Sequence, residues 1–517
     1  MTSYLLRSGI FLEGLAGWRR LAAAIVAGAI SALGFAPVDA FVLFLLGIAA
    51  LIILLDGANS CQRSKLNAAM TGWAFGFGQF VVGMHWIFYP FLVDPVAHAW
   101  EIPFVAVLFP GGLALFPMFA AWLASFWWKN GASRIFALAV TYAASEWLRG
   151  HTLTGLPWNL PAYCWGVSLE ILQSTSLVGA YGLSFLTVLL GASLGELFAS
   201  PPRLRLPAVL MATFVLIWAG GAVRLNHNAT MMVAGVSLRI VQPNIPQDEK
   251  YRRDLVQRNW QRLVDLSTIK TGTSPTVIVW PEAAPPVLLQ LSPQAVNAIA
   301  TLTGEHRVLI TGNQRVAFDR EQGRVFFNSL YIFGHHGRLL STYDKFHLVP
   351  FGEYLPLEPL LRKIGVTKLV GFPGSFAAGS GPQTYPIPGA PSVGPLICYE
   401  ILFPAAVVGK QRPQWLVNVT DDSWFGPWAG PQQHLLAARV RGIEEGLPVV
   451  RAANTGISAV IDPLGRMLVS LGLDQTGAID FGLPRALARP GYAVYGDAAL
   501  LLLLAAGAGL SWWLARK

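Results

Sequence analysis

The chain has 517 residues, 54% of them hydrophobic and only 13% charged, at a mean hydropathy of +0.49. Soluble globular proteins carry about a quarter charged residues, so the composition argues against one large soluble enzyme. The net charge of +9 fits a membrane protein whose cytoplasmic loops collect Lys and Arg; no nucleic-acid-binding motif accompanies it, so nucleic acid is not expected as a partner.

In chain order, apolar segments of the length that a bilayer core demands, about 20 residues each, fall near 18–36, 38–57, 68–91, 103–128, 135–150, 177–198 and 206–223, with one more at 497–514. A polar lead precedes the first and further spans follow it, so it reads as a retained anchor rather than a cleavable signal. Arg7, Arg19 and Arg20 precede the first span, and Arg63 and Lys65 lie between the second and third. Lys129 and Arg134 lie between the fourth and fifth, Arg203 and Arg205 between the sixth and seventh, and Arg516 and Lys517 end the chain. Apart from Arg149, the intervening loops hold almost no basic residues. Basic residues favour the cytoplasmic side. The alternation therefore predicts eight spans, both termini in the cytoplasm, and the long stretch after the seventh span on the outer face, which in a bacterium is the periplasm. Within the spans, Gly72 and Gly76 of "GWAFGFG" have the spacing of close helix contacts. Trp158 of "TGLPWNLPAY" sits in a Pro-rich outer loop, either as an interfacial anchor or at the mouth of a lipid-facing site.

The expected domains are a membrane domain over 1–235, an outer domain over 236–488 and a final transmembrane helix in 489–517. The outer stretch alternates strand-like runs ("SLRIVQPNI", "TVIVWPE", "RVLITGN", "FFNSLYIFG", "GPLICYE", "QWLVNVTDD") with helical ones at 249–269 and 431–446. That alternation predicts an α/β domain, and about 250 residues can bury one core.

Three motifs there carry ionisable groups: Glu282 after "VIVWP", Lys345 and Glu353 in "STYDKFHLVPFGEYLP", and Cys398 in "PLICYE". Taken singly, each has a plain reading: a solvated turn Glu, a surface Lys, a buried Cys acting as a small hydrophobe. Together they fit one chemistry. A thiol nucleophile needs a base, which a buried carboxylate can supply, and the oxyanion made by attack on a carbonyl can be held by an ammonium and backbone N–H groups. A Cys/His pair is the rival, with His347 and His434 available, although neither stands in a papain-like or caspase-like context. The three scattered cysteines form no C-x-x-C and suggest neither a disulfide framework nor a zinc site.

"WPE", "DKFHLVPFGEY", "ICYE", "NVTDDSWFG" and "QQHLLAARVRGIEEGLPVVRAANTGISAVIDPLG" resemble the Glu-Lys-Cys signature of the nitrilase, or carbon–nitrogen hydrolase, superfamily. Such a domain between seven spans and a last one, with "SEWLRGHTLTGLPW" in the membrane part, resembles the apolipoprotein N-acyltransferase family. The resemblance implies an αββα sandwich joined to a multi-span helical domain. It implies acyl transfer from a phospholipid to the α-amino group of a diacylglyceryl-modified N-terminal cysteine of an apolipoprotein, through a thioester and without metal or cofactor. It further implies that Glu282 is the general base, Lys345 the oxyanion stabiliser and Cys398 the nucleophile, with Glu353, Asn328, Tyr399 and Glu400 in support. Trp158 matches a position the family relies on, and Tyr251 stands where the family more often has Trp. Trp424, Phe425 and Trp428 are candidates to cover the entrance, and Trp158, Tyr251, Trp424 and Phe425 to meet lipid. A monomer in the bacterial inner membrane is expected. A membrane-anchored amidase using water and an inactive periplasmic scaffold are the alternatives.

Overall fold

The computed structural model describes residues 2–129, 131–250, 252–270, 272, 274–319, 323–361, 363 and 375–516. They group into a helical unit (1–88, 101–229 and 490–517) and a sandwich unit (89–100 and 230–489). The sandwich unit thus recruits a short excursion, 89–100, that lies far upstream in sequence, in the stretch expected to be membrane domain.

Each of the eight apolar segments contains a helix: Gly17–Ala32, Phe41–Asn59, Ser64–Gly83, Ile102–Leu113 continued by Leu115–Ala124, Ala132–His151, Thr175–Leu194, Arg205–His227 and Ala498–Leu514. A further helix, Thr2–Gly14, precedes them. Among the described residues, four stretches are long and apolar enough to cross a membrane: Phe41–Asn59, Pro95–Trp127, Thr175–Phe198 and Arg205–His227. A fifth is added if Ser64–Gly83 and His85–Val93, bent by 66°, count as one, while Ala498–Leu514 is apolar but shorter. The remainder are shorter or carry charge: Gly17–Ala32 has only 16 residues, and Ala132–His151 contains Glu146 and Arg149. Gly72 and Gly76 do mark a close contact. A Cβ at either would meet Pro117 of the neighbouring helix at 2.5 or 2.8 Å, so only glycine lets the two backbones approach.

Among the described residues, the sandwich is built from two six-stranded sheets. One has the order β12-β1-β2-β3-β4-β5, with β1 Met232–Gln242, β2 Val277–Val279, β3 Val308–Asp319, β4 Gly323–Phe333, β5 Leu339–Asp344 and β12 Gly477–Pro484. The other has the order β11-β10-β9-β8-β7-β6, with β6 Tyr385–Ile387, β7 Ala390–Ile397, β8 Trp415–Thr420, β9 Val449–Ala453, β10 Ser458–Ile461 and β11 Met467–Leu471. The central strands β1, β2 and β3 run parallel, as do β7, β8 and β9. Strands covered on both faces lose the polar–apolar alternation, and "VIV" and "WLVNVT" are buried throughout.

Alternate side chains split between layers. Val277, Val279 and Ile310 join Ile397, Val417 and Val450 in the core between the sheets. Ile278 and Leu309 point the other way, onto Leu263 of helix Val256–Thr268 and Ile299 of helix Pro293–Thr303. Leu396 and Leu416 pack on Leu435 and Ala438 of helix Gly430–Glu445. The layers are therefore α, β, β, α, and each fully buried Leu or Ile contributes about 1.5–3 kcal/mol to holding them together.

Candidate active site

Three strand ends deliver the Glu, the Lys and the Cys. β2 and β5 point the same way within their sheet: β2 and β3 are parallel, and β5 returns to that direction after the antiparallel β4. Glu282 follows β2 by three residues and Lys345 directly follows β5. Cys398 directly follows β7 of the other sheet. The β2 exit is held by Trp280 N–H on Ile310 O (2.8 Å) and Gly312 N–H on Pro281 O (3.1 Å). A Cβ at Gly312 would meet Glu282 Cα at 2.6 Å, so glycine there lets the Glu282 backbone sit flush on β3. Cys398 has φ +49°, left-handed for a residue with a side chain, and opens a one-turn 3₁₀ helix, Cys398–Leu402. The sharp turn costs on the order of 1–3 kcal/mol, held by the surrounding packing.

Lys345, 1% exposed, places Nζ 3.0 Å from Glu353 Oε1 and 3.8 Å from Glu282 Oε1. Asn328 on β4 donates one Nδ2 hydrogen to each carboxylate, at 2.7 Å to Glu282 and 2.7 Å to Glu353. The second Glu282 oxygen accepts from Asp421 N–H at 2.9 Å, and the second Glu353 oxygen from Val349 N–H at 2.8 Å. Burial pushes the Glu282 carboxyl above its ordinary pKa; Lys345 opposes this and Glu353 reinforces it. Burial also works against the Lys345 charge, but Glu353 and Glu282 outweigh it and hold the ammonium firmly protonated. Burial, with the Glu282 charge behind it, pushes the Cys398 thiol well up, while Lys345 and a Thr420 hydrogen bond pull it back. The resting sulfur is thus a thiol beside a carboxylate whose proton affinity is raised and an ammonium that stays charged. That set can move a proton off sulfur only as sulfur attacks, and can hold an oxyanion once it forms.

Two deeper groups brace the turn. Glu400 accepts from Ile397 N–H (2.7 Å), Phe346 N–H (2.7 Å) and the Tyr343 hydroxyl (2.9 Å). It therefore buckles the Cys398 turn to the loop that starts at Lys345, and burial raises its pKa to about 7. Behind the sulfur, Arg451 pairs with Asp422 at 2.6 Å, both fully buried. Burial and the neighbouring Arg451 lower the His434 pKa. The ring lies with Nε2 3.2 Å from Cys398 O, and Nδ1 3.0 Å from Asp422 Oδ1 and 3.1 Å from the Arg451 guanidinium. The Cys/His alternative thus resolves structurally: His434 holds the cysteine's carbonyl. His347 stacks on Phe403 with ring centroids 3.6 Å apart.

A profile described as carbon-nitrogen hydrolase matches residues 237–490, and one described as apolipoprotein N-acyltransferase N-terminal domain matches residues 27–193. The apolipoprotein N-acyltransferase of Rhodopseudomonas palustris is 41% identical over 96% of this chain and 95% of its own. That of Bradyrhizobium diazoefficiens is 44% identical over 95% and 94%, and that of Brucella suis 38% over 96% and 96%. The chain belongs to the apolipoprotein N-acyltransferase family.

Glu282, Lys345, Glu353, Asn328, Cys398 and Glu400 all fall in the carbon-nitrogen hydrolase match, as do the supports that sequence reasoning missed: Lys250, Asp421, Asp422 and Arg451. Asp421 and Asp422 lie in the quoted "NVTDDSWFG", but nothing local marks their partners. Tyr399 is buried, with its ring edge-on to Phe403 at 5.0 Å. Trp424 and Phe425 are half-buried, in the turn Asp422–Phe425, and Phe425 lies edge-on to His434 at 5.6 Å. Trp428 meets Tyr89 of the 89–100 excursion at 5.9 Å. Within the helical unit, Trp158 does not present an open lipid-facing ring: it is 2% exposed and packed on Trp86 at 4.5 Å. The loop before it is latched by Arg149, which bonds Leu156 O through its guanidinium and accepts Leu156 N–H at 2.8 Å. Tyr251 lies outside the described residues.

Proposed function

We propose that the chain transfers an acyl group from a phospholipid to the α-amino group of the diacylglyceryl-modified N-terminal cysteine of an apolipoprotein, in two steps on Cys398. In the first, Glu282 takes the thiol proton as sulfur attacks the ester carbonyl. Lys345 and nearby backbone N–H groups stabilise the oxyanion. The C–O bond breaks, and the lysophospholipid alcohol leaves with the proton from Glu282. In the second, the acceptor's free amine attacks the thioester carbonyl, a proton passes to Glu282, and the sulfur leaves with one proton restored to it. Asn328 and Glu353 orient Glu282 and Lys345, and Glu400 and Tyr399 support the turn. Trp424 and Phe425 shield the thioester from water between steps, with Tyr251 meeting lipid and Trp158 acting from its buried place against Trp86.

The observation that carries this reading is the convergence of Glu282, Lys345 and Cys398 in one buried site, with both charges acting on the sulfur, in a chain of this family. The apolar helices and the Lys/Arg alternation support eight spans in a bacterial inner membrane. The membrane part then covers residues 1–235, the catalytic domain is periplasmic, the last helix lies in 489–517, both termini face the cytoplasm, and the protein acts as a monomer.

Mass spectrometry of the detergent-purified protein incubated with phospholipid alone tests the reading. A single acyl adduct on Cys398 is expected. It should be labile to neutral hydroxylamine and discharged by a peptide bearing a diacylglyceryl cysteine at its free N-terminus. Discharge by water at the same rate with or without that peptide would instead make the protein a hydrolase.

A further inference from the structure

One buried cation near the site has no part in that chemistry. Lys250, on the loop between β1 and helix Val256–Thr268, is 2% exposed. Its Nζ donates to the backbone carbonyl of Glu282 at 3.2 Å and pairs with the carboxylate of Asp421. Asp421 in turn gives its N–H to the Glu282 carboxylate at 2.9 Å. Lys250 therefore grips the base twice, directly at its backbone and through Asp421 at its side chain.

The surrounding loop is tied to the same point. Asn454 donates to Asp421 Oδ1 at 3.1 Å, accepts from Ile245 N–H at 3.0 Å and donates to Ile245 O at 2.7 Å. Ser423 bridges Asp421 Oδ1 (2.6 Å) and Gln247 Oε1 (3.1 Å). These neutral contacts fix where the loop lies, but none of them neutralises Asp421. Among the described residues, only Lys250 is paired with the Asp421 carboxylate.

The geometry points to Lys250 as a positioning residue for the acyl-transfer reaction, one that orients Glu282 and cancels the Asp421 charge beside it. The inference rests on the function proposed above. Glu282 faces Lys345, Glu353, Asp421, Asn328 and the Cys398 thiol. In that buried group, three carboxylates meet two ammonium groups. Removing Lys250 leaves Asp421 as an uncompensated anion beside Glu282, and a like charge favours the protonated base. The base would then be unavailable until higher pH.

The test is the pH profile of Cys398 acylation, followed by mass spectrometry with phospholipid alone. In Lys250→Met, the acidic limb should move up by about one pH unit and the rate at neutral pH fall about 10-fold or more. Adding Asp421→Asn to that variant should return the limb toward its wild-type place. Lys250→Arg, which keeps the charge, should keep the limb, and Asp421→Asn alone should lower it. The single Asp421→Asn and the Lys250→Arg variants carry the test if Lys250→Met does not fold. A limb that stays put in Lys250→Met, or that Asp421→Asn fails to move in either background, overturns the inference. The absence of any adduct on the wild-type protein would instead remove the function on which it rests.

Discussion

A buried ion cluster in the helical unit and the catalytic cluster in the sandwich unit balance their charges differently. In the helical unit, Arg134 bonds Asp56 at 2.7 Å and Glu196 at 2.5 Å, and Glu196 also meets Arg203 at 3.5 Å. That makes two cations for two carboxylates. Arg149 and Glu146 pair one to one on helix Ala132–His151. In the catalytic cluster, among the described residues, Glu282, Glu353 and Asp421 share Lys345 and Lys250, although Asp422 and Arg451 behind it are matched one to one. A matched set is closed, and its worth is the geometry it fixes. A set one cation short has a carboxylate that can hold a proton and give it back. Burial makes both expensive to disrupt; only the unmatched one can do acid–base work.

The comparison can be broken most decisively at the sulfur. Cys398→Ala should abolish the acyl adduct and all transfer, with melting unchanged; an adduct found on Cys61 or Cys164 instead would place the chemistry elsewhere. Next in size is the matched pair. Arg149→Met strands Glu146 in the bundle and frees the Leu156 latch, so a loss of about 3–5 kcal/mol is expected, read as a lowered melting temperature in detergent. A variant that melts like wild type would show that the pair is not what secures the loop.

Glu282→Gln should slow thioester formation about 100-fold or more with little change in melting. In wild type, acylation should fall as pH drops through the raised pKa of Glu282, because the base must be ionised to accept the thiol proton. The sign for stability is the reverse. A carboxyl whose folded pKa lies above its unfolded value contributes stability that is fully present below the unfolded pKa and lost as pH rises through the folded one. Activity and stability therefore run in opposite directions across that window, and an acylation rate flat with pH there would remove Glu282 as the base. The smallest effect is expected at Tyr89→Ala. Losing its edge contact with Trp428 should cost about 0.5–1.5 kcal/mol and raise the KM for phospholipid more than it lowers kcat. A pure kcat effect would mean that the excursion acts on the chemistry rather than on the entrance.

The parts legible in the sequence were those with a local signature. An apolar run ending in Pro-Glu or in Cys announces a strand end, and "VIVWPE" and "PLICYE" stand where the strands deliver them. Asn328 was reached through family resemblance, since "FFNSLYIFG" reads locally as an ordinary strand. Lys250 and Asp421 are 171 positions apart, and Asp422 and Arg451 29. Burial is what makes such pairs matter, and it arises only when two sheets close on each other, so neither residue looks unusual alone. The same holds for 89–100, whose attachment to the sandwich unit is invisible in its hydropathy. The burial of Trp158 was illegible for the converse reason: a Pro-rich loop reads as exposed, whereas here the Arg149–Leu156 bonds hold the loop and the ring packs on Trp86.

The high proton affinity of the Cys398 thiol has a consequence outside acyl transfer. Peroxide and disulfides react with thiolate rather than thiol, and reaction on sulfur proceeds through sulfenic acid to forms that cannot be recovered. A cysteine that ionises only in the course of attack is exempt from that ladder while idle. The burial that makes the nucleophile dependent on its neighbours is thus also what spares its idle sulfur.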